Sequence, residues 1–332
     1  MLVPEGGRED WMKLLRALIA AAVGAACASA QPAPRAPFHL IPGSVVPNRG
    51  PDGNSIFLDA PEGLILVDTG RHPEHRDLLV AYARARGRPI AAIVNTHWHL
   101  DHTTGNAELR AAYPQAQVYA SEAIERAVTG FFVRSRTSTQ QALDAGQVPE
   151  SRRAEIVRGF AAMDNVAALR ATRPVTASGE TRIAGRRLRV NLARFAATEG
   201  DVWLYDPATH VAIVGDLVVG PVPFMDTACA QGWRRALGEI AATPFTTLIP
   251  GHGAPMTRAD FTAWRAAFDA FVECGQSDRP RADCVAGWRR AAARFIPAGA
   301  ERMIDGLAGY YVGSRLRAAP EERGRFCEGG PG

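Results

Sequence analysis

An α/β fold is the architecture that this sequence of 332 residues predicts. Three observations carry that expectation. Short apolar runs bounded by Gly, Pro and Asp alternate with longer runs of helical character. Hydrophobic residues make up 47% and charged residues 22%, the balance of an ordinary globular chain and not of a disordered, collagen-like or coiled-coil one. No internal repeat or low-complexity linker divides the chain, so a single domain with a helical insertion and a helical tail is expected.

Taken in order, a Pro-rich lead-in at 32–37 precedes strand-like runs at 39–46, 54–58 and 64–67. Pro73–Arg86 reads as a helix stopped by Gly87, 90–95 as a buried strand, 103–112 as a helix and Gln117–Ala120 as a short strand. From 121 to 170 the pattern is helical and Arg-rich, with polar breaks expected at 137–141 and near Pro149. Strands return at 181–183, 188–192, 202–205 and 210–214, followed by a helix over 232–242 and a strand over 246–249. After Thr257 the chain is helical nearly to its end, with the tail spanning about 257–320.

The amino terminus reads as a targeting segment. Lys13 and Arg16 precede an apolar stretch from Ala17 to Cys27, and Ala28-Ser29-Ala30 follows. This is the pattern of a secretory signal peptide over 1–30, with cleavage after Ala30. The stretch is shorter than the ~20 residues of a spanning helix. Met12 begins a more ordinary signal than Met1 does. Acylation at Cys27 is the competing reading, although Gly24-Ala25-Ala26 lacks the leucine-like residue such a site prefers. The expected mature chain, 31–332, is periplasmic or secreted, with no stable membrane insertion. Its cysteines are then Cys229, Cys274, Cys284 and Cys327, an even set in an oxidising compartment. Cys274 and Cys284 flank a polar turn between helical stretches and are expected to pair, against the alternative of free buried thiols. The net charge of +4 comes from 38 basic and 34 acidic residues, every base but Lys13 being a scattered arginine. That describes a solvated surface, not a nucleic-acid-binding patch.

The chemistry is concentrated at His97-Trp98-His99-Leu100-Asp101-His102, where a buried strand gives way to a helix. Imidazole and carboxylate are good ligands for zinc and its first-row neighbours. A turn at this place can aim His97 and His99 at one metal and Asp101 and His102 at another. No Walker loop, Rossmann glycine pattern or Gly-x-Ser-x-Gly elbow competes with it.

The stretch from Thr96 to Asn106 resembles the signature of the metallo-β-lactamase superfamily. Other elements of that pattern follow in order: Leu64–Gly70 ending in Asp68-Thr69-Gly70, Val214-Gly215-Asp216, and Ile249-Pro250-Gly251-His252-Gly253. The resemblance covers about 38–270. It implies an αββα sandwich with a dinuclear zinc cleft at one edge of two sheets. By that resemblance His97 and His99 serve a first metal, Asp101, His102 and His252 a second, and Asp216 bridges. Asp101 would also be the catalytic residue that orients the attacking water, and Asp68 would act by hydrogen bonding. The zinc-bound hydroxide of such a site attacks esters, lactones, thioesters or amide-like bonds of a small-molecule substrate. One position departs from the pattern. Ala197, in Ala196-Ala197-Thr198-Glu199-Gly200-Asp201, stands where the family has a third histidine for the first metal. Glu199 and His72 are the candidates to replace it; otherwise one zinc, at Asp101/His102/His252, is expected to dominate. A catalytically impaired metal-binding module and a β-lactamase are the alternative readings. Gln231-Gly232-Trp233, the stretch 249–256 and the Cys-containing tail with Tyr310-Tyr311 resemble the periplasmic zinc metallohydrolases of quinoprotein systems, which implies a periplasmic redox partner. Phe131-Phe132 and Arg134 to Arg136 form either a lid over the cleft or an ordinary helical hairpin. Trp98 reads as packing, and His39, His75 and His210 as residues without a site role.

Overall fold

The apolar runs pair into two sheets of six strands each. The structure, a computed structural model, describes residues 36–45 and 49–332, so the expected signal peptide at 1–30 and Val46 lie outside the described residues. Residues 37–332 form one compact unit. The first sheet runs β1 (His39–Ile41), β2 (Ser55–Ala60), β3 (Gly63–Val67), β4 (Ile90–Val94), β5 (Gln117–Ala120) and β6 (Arg173–Pro174). It is antiparallel from β1 to β3 and parallel from β3 to β6. The second runs β7 (Gly179–Ile183), β8 (Arg186–Arg194), β9 (Gly200–Asp206), β10 (Val211–Val219), β11 (Thr247–His252) and β12 (Met256–Thr257). There only β10 and β11 are parallel.

Alternation along the strands builds the layers. Ile56, Leu58, Ile65 and Val67 meet Val202, Leu204, Ile213 and Ile249 between the sheets. Phe57, Leu64 and Leu66, one residue out of phase, face Leu79 and Ala83 of helix α1 (Pro73–Arg86). On the far side, Trp203, Ala212 and Val214 share a core with Trp233, Leu237, Trp264 and Trp288. The result is the αββα sandwich.

The remaining helices are α2 (Leu100–Thr103), α3 (Asn106–Ala112), α4 (Ile124–Thr129), α5 (Phe131–Asp144), α6 (Glu150–Asp164), α7 (Val166–Leu169), α8 (Ala230–Ala242), α9 (Arg258–Gly275), α10 (Arg281–Ala291), α11 (Glu301–Tyr311) and α12 (Pro320–Gly324). Helix α1 ends at Gly87, whose φ of 60° lets it close the last turn. A reciprocal Thr257–Asp260 capping box starts α9. The polar break expected at 137–141 does not occur. Helix α5 runs straight through it, because that stretch holds no Gly or Pro and its polar side chains face outward. The break near Pro149 is present, between α5 and α6. Cys274 pairs with Cys284, joining α9 to α10, and Cys229 at the start of α8 pairs with Cys327. Among the described residues, no helix is long and apolar enough to cross a membrane.

Candidate metal centre

Strands β3 and β4 in one sheet and β10 and β11 in the other deliver their carboxyl ends to one edge of the sandwich. Asp68 follows β3, His97 follows β4, Asp216 lies on β10 and His252 ends β11. Strand β10 loses register with β11 around Gly215, and this irregularity turns Asp216 toward the cleft. Gly251 lies so close that a Cβ there would collide with Asp216 Oδ1. Asp101 and His102 sit in α2, the single turn after His99.

Two clusters result. The possible ligand atoms of His97, His99 and Asp216 lie within 4.8 Å of one another, and so do those of Asp101, His102 and His252. Asp216 faces both. Its Oδ2 is 3.7 Å from His97 Nε2, and its Oδ1 is 3.3 Å from His102 Nε2 and 3.5 Å from His252 Nε2.

Hydrogen bonds fix which imidazole nitrogens are free. Thr96 Oγ1 donates to Asp68 Oδ2, so it accepts from His97 Nδ1 at 2.9 Å and leaves the His97 Nε2 lone pair toward the cluster. Thr227 Oγ1 donates to the Ala197 carbonyl, so it accepts from His99 Nε2 at 3.0 Å, which leaves His99 Nδ1 unprotonated and 2.8 Å from His97 Nε2. His102 Nδ1 is held 2.8 Å from the Asp68 carboxylate, which leaves its Nε2 to the second cluster. Each ring thus has its outer N–H occupied and its lone pair turned inward, the arrangement metal-binding histidines adopt. Asp68 adopts a left-handed φ of 60° to receive both Thr96 and His102.

The electrostatics suit a cation. Burial opposes charge on His102, yet Asp216, Asp68 and Asp101 together hold its pKa well above the ordinary value. Burial lowers the pKa of His97 well below its ordinary value and takes that of His99 down to about 4, so both rings stay neutral. Asp216 Oδ1 is buried without a hydrogen-bond partner. Buried carboxylates facing imidazole lone pairs fit a divalent metal of the zinc type.

Neither candidate replacement reaches the first cluster. His72 is 1% exposed and directs Nδ1 to Asp52 Oδ2 at 2.8 Å, with its own backbone N–H on Asp52 Oδ1. Glu199 accepts from Trp98 Nε1 at 3.3 Å and faces Arg126. Ala197 itself is buried, and among the described residues no other His, Cys, Asp or Glu is grouped with His97, His99 and Asp216. Trp98 packs edge-on against His99 and Phe132 and tilted against Phe131. His210 is exposed, with Nδ1 beside the Tyr205 hydroxyl. His39 stacks on Tyr82, and His75 is buried beside Ser55.

The sequence pattern included Thr96 but gave it no role, and it held no sign of Thr227, Asn54 or Arg71. Asn54 ties the β2 approach to the His252 loop through the Pro250 and Gly253 carbonyls. Arg71 reaches toward Asp101 Oδ1 at 3.8 Å and Glu155 at 3.5 Å. Above both clusters opens a cleft of about 970 Å³, with helices α5 and α6 on one side and α11 on the other. Phe131 and Phe132 are among its lining, so the insertion does overhang the site.

The model of the metallo-beta-lactamase superfamily matches residues 49–252. The chain belongs to that superfamily. Its relatives include hydrolases. A linear primary-alkylsulfatase from a Pseudomonas species is 27% identical over 220 residues, 60% of this chain and 41% of the relative. A hydroxyacylglutathione hydrolase from Synechococcus is 48% identical over 44 residues, 13% of this chain and 18% of the relative. This chain therefore spans less than half the length of either curated relative. A metallo-beta-lactamase family protein from Thermus thermophilus superposes with a TM-score of 0.56 at 20% identity, covering 84% of this chain and 94% of that one. At that identity the likeness speaks for the fold.

Proposed function

We propose that this metallo-beta-lactamase superfamily member is an exported zinc-dependent hydrolase of ester, lactone, thioester or amide-like bonds. The observation that carries the reading is the pair of clusters sharing Asp216, with imidazole lone pairs turned inward on the cleft floor. Zinc held there would supply a Lewis acid and acidify a bound water towards ~7. His102, His252 and Asp101 form the complete cluster and are assigned as its main holders. His97 and His99, with Asp216 as bridge, form the weaker one because Ala197 supplies no imidazole. Asp101 presents Oδ2 to His252 at 3.1 Å and Oδ1 toward Arg71, which suits it to orient an attacking water. Asp68, Thr96 and Thr227 hold the rings in place.

The signal-like segment and two disulfides support export. The motifs around Trp233 and Tyr310-Tyr311 support the quinoprotein-associated periplasmic branch, with a redox partner there. Ala197 favours one second reading, an impaired metal-binding module. Turnover on a panel of esters, lactones, thioesters and β-lactams separates them. The hydrolase reading expects turnover that chelation or His252→Ala abolishes. An inert wild type that gains turnover only as Ala197→His would establish the module instead.

A further inference from the structure

We infer that the substrate is an amphiphile: an apolar tail lies between the two helical additions, and an anionic group rests against Arg71 and Arg152. The inference rests on the hydrolase reading for the reacting bond, and on the cleft walls alone for the tail. Both walls carry large apolar side chains. Phe131, Phe160 and Met163 come from the insertion, and Met303, Leu307 and Tyr311 from the tail. The two groups lie more than a hundred residues apart, yet they face one cavity of about 970 Å³. That is near the upper end of the ~300–1,000 Å³ of small-molecule sites, more than a short acid or a single sugar fills. Met303 remains 46% exposed, so this wall offers apolar surface that nothing among the described residues fully covers.

The polar end is equally one-sided. Arg71 and Arg152 both lean on the single carboxylate of Glu155, at 3.5 and 3.7 Å. Glu155 is itself buried and also accepts the Gly50 backbone N–H. Arg71 has Asp101 only at 3.8 Å, and the Nε atoms of both arginines are buried without partners. Arg71 and Arg152 share the Glu155 carboxylate, and with Asp101 as far as 3.8 Å from Arg71 their positive charge is only loosely compensated beside the clusters. A carboxylate or sulfate on the substrate offsets it, with the fork geometry arginine uses for such groups.

The test is binding of saturated alkanoates from butyrate to decanoate to the protein as purified, read by isothermal titration calorimetry. Each buried methylene contributes about fourfold in affinity when fully desolvated. We expect decanoate to bind at least tenfold tighter than butyrate. Met303→Glu, at an exposed position, should flatten that slope, as should Phe160→Ser, while circular dichroism confirms an intact fold. Arg152→Gln should weaken every alkanoate by a similar factor and leave the slope unchanged. Equal affinity across the series, or a slope that survives both wall variants, would overturn the tail site. An Arg152→Gln protein that binds as well as the wild type would overturn the anion site. Turnover with a flat series leaves the hydrolase reading standing and removes this one; a steep series without turnover does the reverse.

Discussion

Asp68 shows how much of this site is settled by single residues that bind no metal. Its carboxylate receives Thr96 N–H and Oγ1 and holds His102 Nδ1. Asp68→Asn must place an amide NH₂ against one of these donors. Loss of such an outer partner typically costs 10–100-fold in metal affinity. Competition with a chromophoric chelator should show that loss for Asp68→Asn, and unchanged affinity would contradict the role. Thr227→Val removes the acceptor on His99 Nε2 and should weaken only the first cluster. The histidines and aspartates were legible in sequence because their chemistry is rare and their spacing tight. Thr227 was not: a threonine is common, and the fold brings it to His99 from 128 residues away. Ala197 stood out in the sequence, but that neither His72 nor Glu199 reaches the first cluster required their partners, Asp52 and Trp98, to be seen.

At the scale of elements, the strand and helix order was readable because apolar periodicity records burial, and burial is what the two sheets impose. Helix α5 was misread at 137–141 because polarity marks exposure and not the end of a helix. The two-residue strands β6 and β12 were too short to leave a pattern. Helix α8 makes a sharper test. Gly232 lies where a Cβ would strike the Phe195 carbonyl, whereas a Cβ at Gly238 meets only Arg265 Nη2 at 3.9 Å. Gly232→Ala should therefore destabilise by about 1–3 kcal/mol in denaturant unfolding. Gly238→Ala should be neutral or stabilising by up to about 1 kcal/mol; equal effects at the two positions would refute the packing account. The disulfides differ in the same graded way. Chain-entropy estimates give about 3 kcal/mol for the pair separated by 10 residues and about 5 kcal/mol for the pair separated by 98. Cys229→Ser/Cys327→Ser should accordingly unfold at lower denaturant than Cys274→Ser/Cys284→Ser. The reverse order would mean that the tail is held by other contacts, among them Arg134 and Arg126 on the chain's last carbonyls.

Residues 37–332 form a sandwich whose edge carries the candidate metal ligands and whose two helical additions line the cleft. The sheets place six candidate ligands, and the insertion and tail decide what can approach them. For export, the expectation is a mature chain that begins at Gln31, read by intact mass of the protein recovered from its native compartment; a lipid on Cys27 or an uncleaved terminus would contradict it. The proposed hydrolase has one whole metal site and one that lacks a ligand. Metal analysis after dialysis, with anomalous diffraction at the zinc edge to locate each ion, tests it most directly. About one zinc per wild-type chain is expected, held by Asp101, His102 and His252, with a second gained in Ala197→His and none retained in Asp101→Ala or His252→Ala. Two zincs retained by the wild type, or a single zinc found between His97 and His99, would contradict it.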